Sequence, residues 1–192
     1  MILTKHKNII LASKSPRRQE LLTGLGLKYT VKTMHTDEHY PEDMPCGKIA
    51  SYLAEKKADA LKHLIGPEDI LITADTVVIV DGKILNKPAD HHEAKRMLRQ
   101  LSSKKHEVMT GVCLMDAFKK NVFDDITDVY FNHLEEEEID YYVENYKPMD
   151  KAGAYGIQEW IGYIGVEKIE GSYYNVMGLP VHKLYRFLKD ML

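Results

Sequence analysis

Short apolar runs in this chain alternate with stretches where apolar residues recur every third or fourth position, and the two periods predict strands and helices. Residues 8–12 (NIILA) read as a buried strand. Ser15 then offers an N-cap and Pro16 stands at the first helical position, opening a helix over 16–25. A second strand is expected over 28–33, and a polar, Pro-containing loop over 34–46. Ile49, Leu53, Ala54, Ala58, Leu61 and Ile65 fall at helical spacing until Gly66-Pro67 stops the helix. The strand at 70–74 runs into Asp75-Thr76, and 77–80 continues toward an Asp81-Gly82 turn. Asp90 followed by Glu93 forms a capping box for the next helix. Long strands at 108–115 and 121–131 form a hairpin, and a Glu-rich helix over 135–145 has its carboxylates at the positive end of its dipole. After an irregular stretch comes a strand at 163–169. A final helix begins at Pro180, with Val181, Leu184, Leu188 and Leu192 on one face. Helices alternate with strands while hairpins are mixed in. The predicted class is therefore α/β, a mixed sheet flanked by helices on both faces.

Composition narrows the function. At 192 residues and 44% hydrophobic content the chain can bury a substantial core, and one domain over 1–192 is the expectation. Lys+Arg number 26 against Asp+Glu 29, a net charge of −3, which argues against a general nucleic-acid binder. Cys46 and Cys113 stand apart and in no Cys-x-x-Cys motif, so neither a disulfide framework nor a zinc site is indicated. The opening MILTKHKNIILAS holds no apolar run long enough for a signal peptide, and no stretch is long enough to span a bilayer. A cytoplasmic protein is the expectation.

Five segments offer chemistry. Ser13-Lys14-Ser15-Pro16-Arg17-Arg18 lies at a strand-to-helix turn, where backbone N–H groups and the helix dipole favour an anion and guanidinium grips phosphate oxygens. The plain alternative is a capped helix with two solvated arginines. Ala74-Asp75-Thr76 sits at an apolar strand end, where an aspartate can hold Mg²⁺ or take a proton from water. Its alternative is an Asx-type turn joining two strands. Lys87-Pro88 and Lys57 offer point charges for a polyphosphate, or are merely solvated lysines. In 150–158 (DKAGAYGIQ) two glycines permit close backbone approach and Gln158 presents a donor and an acceptor suited to a pyrimidine edge. The segment 171–180 (GSYYNVMGLP) lines a cleft or only caps the last helix. His91-His92 lack a metal-binding partner at helical spacing, and no P-loop, Gly-x-Gly-x-x-Gly or Gly-x-Ser-x-Gly motif occurs.

In order and spacing these segments resemble the Maf family of nucleotide pyrophosphatases over essentially the whole chain. The matching pieces are LASKSPRRQELL, AEKKADA, ADTVV, KPAD with the following EA-x-x-ML-x-x-LS, H-x-V-x-TGV, EEEIDYYV, PMDKAGAYGIQ and GSYYNVMGLP. The resemblance implies a fold similar to the inosine-triphosphate pyrophosphatases, with a cleft for a nucleoside triphosphate. It implies Asp75 as the catalytic proton acceptor. Arg17, Thr76 and Gln158 match the positions that set base preference, a trio like that of the dTTP/UTP subgroup. Ser13, Arg18, Lys57 and Lys87 match polar phosphate-site positions, and Glu38 an acidic position that shares the metal with Asp75. Asn86 stands where the family usually has glycine before Lys-Pro, and Glu159-Trp160 follow Gln158 where a glycine is common.

The implied activity is Mg²⁺- or Mn²⁺-dependent hydrolysis of dTTP and UTP to the monophosphate and pyrophosphate, with a small-molecule substrate, no nucleic-acid or membrane partner, and a homodimer by family analogy. The cation and basic groups would offset the triphosphate charge while Asp75 prepares water for attack at the α-phosphorus. The competing class is a nucleotide-binding regulator of cell division with vestigial hydrolysis. Asp75 discriminates, because binding alone does not need it.

Overall fold

The computed structural model describes residues 7–192; residues 1–6, at the start of the stretch read as lacking a signal peptide, lie outside the described residues. The elements are β1 (Asn8–Leu11), α1 (Pro16–Gly24), β2 (Tyr29–Val31), α2 (Cys46–Leu61), β3 (Asp69–Val80), β4 (Lys83–Leu85), α3 (His91–Leu101), β5 (Lys105–Met115), β6 (Lys120–Phe131), α4 (Glu136–Tyr146), α5 (Trp160–Gly165), β7 (Val166–Glu170), α6 (Tyr173–Val176) and α7 (Val181–Lys189). Short 3-10 turns occupy Lys62–Leu64 and Ala152–Ala154. Strands hydrogen-bond in the order β2-β1-β3-β5-β6-β7, with β4 on β3. β1 runs parallel to β2 and β3, whereas β4 and β7 run antiparallel to their partners, so the sheet is mixed as the sequence predicts.

The chain divides into two compact units, and β3, β5 and β6 each contribute residues to both. The first unit comprises Met1–Asp75, Thr110–Asp125 and Gly178–Leu192. One of its apolar clusters joins Ile10 and Leu71 of the strands to Ala54, Ala58 and Leu61 of α2, with Cys113 and Met115 of β5. Burial pushes the Cys113 thiol up to about 12, since an apolar shell disfavours the thiolate. Cys46, the first residue of α2, is only partly buried.

The second unit comprises Thr76–Met109 and Ile126–Met177. Asp81 and Gly82 turn β3 into β4 with φ of 51° and 71°, the left-handed pair that a two-residue type I′ hairpin requires. His106 is buried in this unit, its Nε2 2.7 Å from the Tyr155 hydroxyl and its ring edge-on to Phe131. Burial lowers the His106 pKa to about 4. The unfolded imidazole, near 6.5, therefore takes a proton that the folded one refuses: stability is full above pH 6.5 and falls as pH drops toward 4. Urea midpoints at pH 7.5 and pH 5 should reveal a loss of about 2 kcal/mol that disappears in His106→Gln. An identical pH slope in the variant would remove His106 from the account.

Several expectations are corrected. Asp75 and Thr76 lie inside one continuous twelve-residue strand, neither at a strand end nor in an Asx turn. The flanking Ile, Val and Thr residues favour extended backbone, and no Gly or Pro interrupts it. Ser15 occupies the N-cap of α1 but makes no side-chain capping bond; the Ser13 hydroxyl instead accepts from the Ser15 N–H at 3.2 Å. Asp90 caps α3 by accepting from Glu93 N–H, while Glu93 reaches back to Ala89 N–H rather than to Asp90. Residues 163–165 are helical: the Glu159 carbonyl accepts from the N–H groups of Gly162 and Tyr163 at 2.8 and 3.4 Å, and Gly162 comes so close to the Ile157 carbonyl that a Cβ there would lie 1.9 Å from the oxygen. Helix α7 ends at Lys189, leaving Leu192 45% exposed while Met191 is buried.

Candidate functional site

Small residues let helix α2 approach its sheet closely. Ala50, Ala54 and Ala58 repeat every four residues and are fully buried. Opposite them in β5 is Gly111, where a Cβ would lie 2.3 Å from the Ala50 carbonyl carbon. One step along, the Thr73 hydroxyl of β3 donates to the Ala54 carbonyl at 2.6 Å. Thr73 and Asp75 share a face of the strand, and Ala54 and Lys57 share a face of the helix. The same docking that joins Thr73 to Ala54 therefore brings Lys57 to Asp75.

There the Lys57 ammonium stands 2.5 Å from Asp75 Oδ1 and 2.8 Å from Glu38 Oε1. The Lys57 and Asp75 side chains are only 14% and 12% exposed, so solvent screens their attraction weakly. Glu38 reaches in from the 34–46 loop and remains half-exposed. Its neighbour Asp37 is fixed to Lys56, the residue beside Lys57, at 2.9 Å. Successive lysines of α2 thus anchor successive carboxylates of the loop.

Arg18 frames this group from α1. Its Nε donates to the Gly178 carbonyl and its Nη1 to the Ala74 carbonyl, both at 2.8 Å, with a longer contact of 3.4 Å to the Ser13 hydroxyl. Burial draws its pKa below the usual guanidinium value, and the charge of Asp75 works against that shift. Arg17 precedes it on the first turn of α1, half-buried. The first unit therefore brings together Ser13, Arg18, Glu38, Lys57 and Asp75. The alternative of α1 as a capped helix with two solvated arginines fails for Arg18.

Thr76, Lys87 and Gln158 belong to the second unit. Thr76 follows Asp75 in β3 and is half-buried. Lys87 is exposed after β4 and lines, with Arg96, Gln100 and Lys104, a depression of about 450 Å³. Gln158 sits at the third position of the turn 156–159, and its Oε1 is buried without a hydrogen-bond partner among the described residues.

Two carboxylate oxygens within 2.8 Å of one ammonium suit a hard divalent cation that takes oxygen ligands and completes its shell with water and phosphate. Among the described residues no group of three or more His, Cys, Asp or Glu side chains forms a metal cage. Glu38 and Asp75 are therefore the pair of carboxylates that this unit offers a divalent cation.

A family profile described as Maf-like protein matches residues 8–191. The chain belongs to the Maf family. A relative from Bacteroides fragilis named dTTP/UTP pyrophosphatase is 55% identical over 184 residues, covering 95% of each chain. Relatives with the same name from Phocaeicola vulgatus and Porphyromonas gingivalis are 53% and 54% identical, covering 98% of this chain and 98% and 96% of theirs. Among solved structures, the Ham1 protein of Staphylococcus aureus superposes with a TM-score of 0.57 at 16% identity, over 97% of this chain and all of that one. That likeness carries the fold alone. The Maf match encloses every site residue named above, from Ser13 to Gln158.

Sequence reasoning missed some of the supports: Thr73, Gly111 and Ala50, the first of the alanine row whose Ala54 and Ala58 it had placed on the apolar face. Their signals were present, since a small residue at every fourth helical position marks a close approach, and Thr73 lies two residues from Asp75 in a strand.

Proposed function

We propose that this Maf-family protein is a nucleoside triphosphate pyrophosphatase that hydrolyses dTTP and UTP to the monophosphate and pyrophosphate. The observation that carries the proposal is Lys57 held between Asp75 and Glu38 on a buried frame. The names of the relatives support the substrate class. In this reading Asp75 orients water and accepts its proton as the oxygen attacks the α-phosphorus, and pyrophosphate departs. Lys57, with Lys87 and Arg17 assigned by the family motif, offsets charge on the phosphates. Arg18 and Ser13 set the β1–α1 turn as well as facing phosphate. A divalent cation, Mg²⁺ or Mn²⁺, held by Asp75 and Glu38, supplies Lewis-acid neutralisation of the triphosphate.

The partnerless Gln158 Oε1 supports a role for Gln158 in base recognition, the part that the family motif also assigns to Thr76 and Arg17. Thymine and uracil each carry an imide N–H that such an acceptor would satisfy, and a base leaving the acceptor unpaired costs about 1–3 kcal/mol. Among the described residues no helix is long and apolar enough to cross a membrane; a cytoplasmic place is part of the proposal. A homodimer, with no nucleic-acid or membrane partner, completes the proposal.

One assay tests it. Pyrophosphate, not orthophosphate, should appear first, and excess EDTA should abolish its release. Across dTTP, UTP, ATP, GTP and 7-methyl-GTP, kcat/KM should be highest for the first two. Orthophosphate as first product, or full turnover in EDTA, rejects the reaction. A flat or purine-preferring profile rejects only the substrate.

A further inference from the structure

Glu159, where the family commonly has glycine, is one of the most constrained side chains of the second unit. The turn 156–159 that carries Gln158 closes with the Glu159 N–H donating to the Gly156 carbonyl at 3.0 Å. The Glu159 carboxylate then folds back over the same turn. Its Oε1 lies 3.1 Å from Lys151 Nζ, and its Oε2 accepts from the Tyr142 hydroxyl. That hydroxyl in turn accepts from the Gly156 N–H at 3.1 Å. One phenol oxygen thus ties the backbone at the start of the turn to the side chain at its end.

Burial keeps this clamp firm. Tyr142 is fully buried, the Lys151 side chain is 8% exposed and that of Glu159 is 22% exposed. The carboxylate fills the place of a side chain at 156: a Cβ there would lie 2.9 Å from Glu159 Cδ and 3.0 Å from Oε2. Glu159 also heads α5, whose Gly162 N–H donates to its carbonyl at 2.8 Å. Gln158 is therefore bracketed by backbone bonds on both sides of a charged anchor.

We infer that Glu159 is a positioning residue which, through Lys151 and Tyr142, fixes Gln158 for base recognition and so sets base selectivity. The inference rests on the proposed dTTP/UTP activity for its selectivity half and on the clamp geometry for its positioning half. A pre-ordered turn presents Gln158 to its base without first losing backbone freedom, which strengthens binding of the matching base. A purine that leaves the amide unpaired gains nothing from that order.

Two variants test it in the full-length protein. Glu159→Gln removes the charge that ties Lys151 to the turn, while Lys151 keeps its ion pair with Asp150 at 2.8 Å. Gly156→Ala keeps the charge but pushes the carboxylate off the turn, and it carries the test if the first variant folds poorly. In each, the ratio of kcat/KM for dTTP to that for GTP should fall about tenfold. The fall should come through a raised KM for dTTP, with kcat moving far less. The single tryptophan, Trp160, adjoins Glu159 and gives a reading independent of turnover: its quenching by acrylamide should increase in both variants. A ratio that stays at the wild-type value, including an equal loss for both nucleotides, overturns the selectivity role. If wild type itself shows no dTTP preference, the substrate reading fails. Quenching then decides the positioning claim, and unchanged quenching overturns it.

Discussion

Asp75→Asn should reduce pyrophosphate release from dTTP by at least about 100-fold while leaving a folded protein that still binds the nucleotide. The substitution preserves shape, and the amide oxygen can still accept from Lys57. What it removes is the proton acceptor and the negative charge. Lys57 keeps Glu38 at 2.8 Å, so the ammonium is not left without a carboxylate and the cost to stability should be small. The loss should therefore appear in kcat, read in a single-turnover assay, with dTTP affinity by calorimetry within about tenfold of wild type. Unchanged turnover at equal folded fraction would sink the assignment of Asp75 as the proton acceptor. A variant that neither binds nor folds would make Asp75 a structural residue, and the thermal melt separates that case.

A large loss of stability should come from a methyl group at position 111. An alanine there places Cβ 2.3 Å from both the Ala50 carbonyl carbon and the Ser51 nitrogen, and these are backbone atoms that cannot rotate away. Helix α2 must then lift from β5, which stretches the bond from Thr73 to Ala54 and parts Lys57 from Asp75. Overpacking with loss of that bond should cost at least about 3 kcal/mol, or roughly 6–12 °C in Tm for a chain of this size. Gly47→Ala, in the same helix, provides the contrast. Nothing lies within 4 Å of its Cβ, so helix propensity alone acts and Tm should rise slightly. A Gly111→Ala protein that melts with wild type would mean α2 is not docked as described.

Much of this was legible in the sequence, because local signals and tertiary demands mostly agree. The Asp90 cap and the Asp81-Gly82 hairpin appear where their patterns put them, and the apolar rows of α2 and α7 do so as far as Leu61 and Leu188, short of the Ile65 and Leu192 that the spacing included. Disagreement came where packing overrode a local preference. Tyr163 and Ile164 read as strand by residue type, yet the Glu159 carbonyl, accepting from the N–H groups of Gly162 and Tyr163, opens a helix there. Asp75 read as a strand end because a carboxylate in an apolar run suggests a break. Lys57 supplies the countercharge that lets the strand continue through it. Glu159 read only as a departure from a pattern, since its partners Tyr142 and Lys151 are 17 and 8 residues away and no periodicity links them.

The burial of Cys113 has a consequence for how the molecule can be watched. Alkylation proceeds through the thiolate, and a thiol pushed to about 12 and closed off from solvent offers almost none at neutral pH. Its labelling then reports how far the apolar cluster around Ile10, Ala54 and Leu71 opens. Cys46, partly open at the head of α2, reacts on the schedule of that helix end alone. Between them the two thiols act as paired reporters, one of the breathing of a surface and the other of the opening of a core, and neither needs a foreign probe.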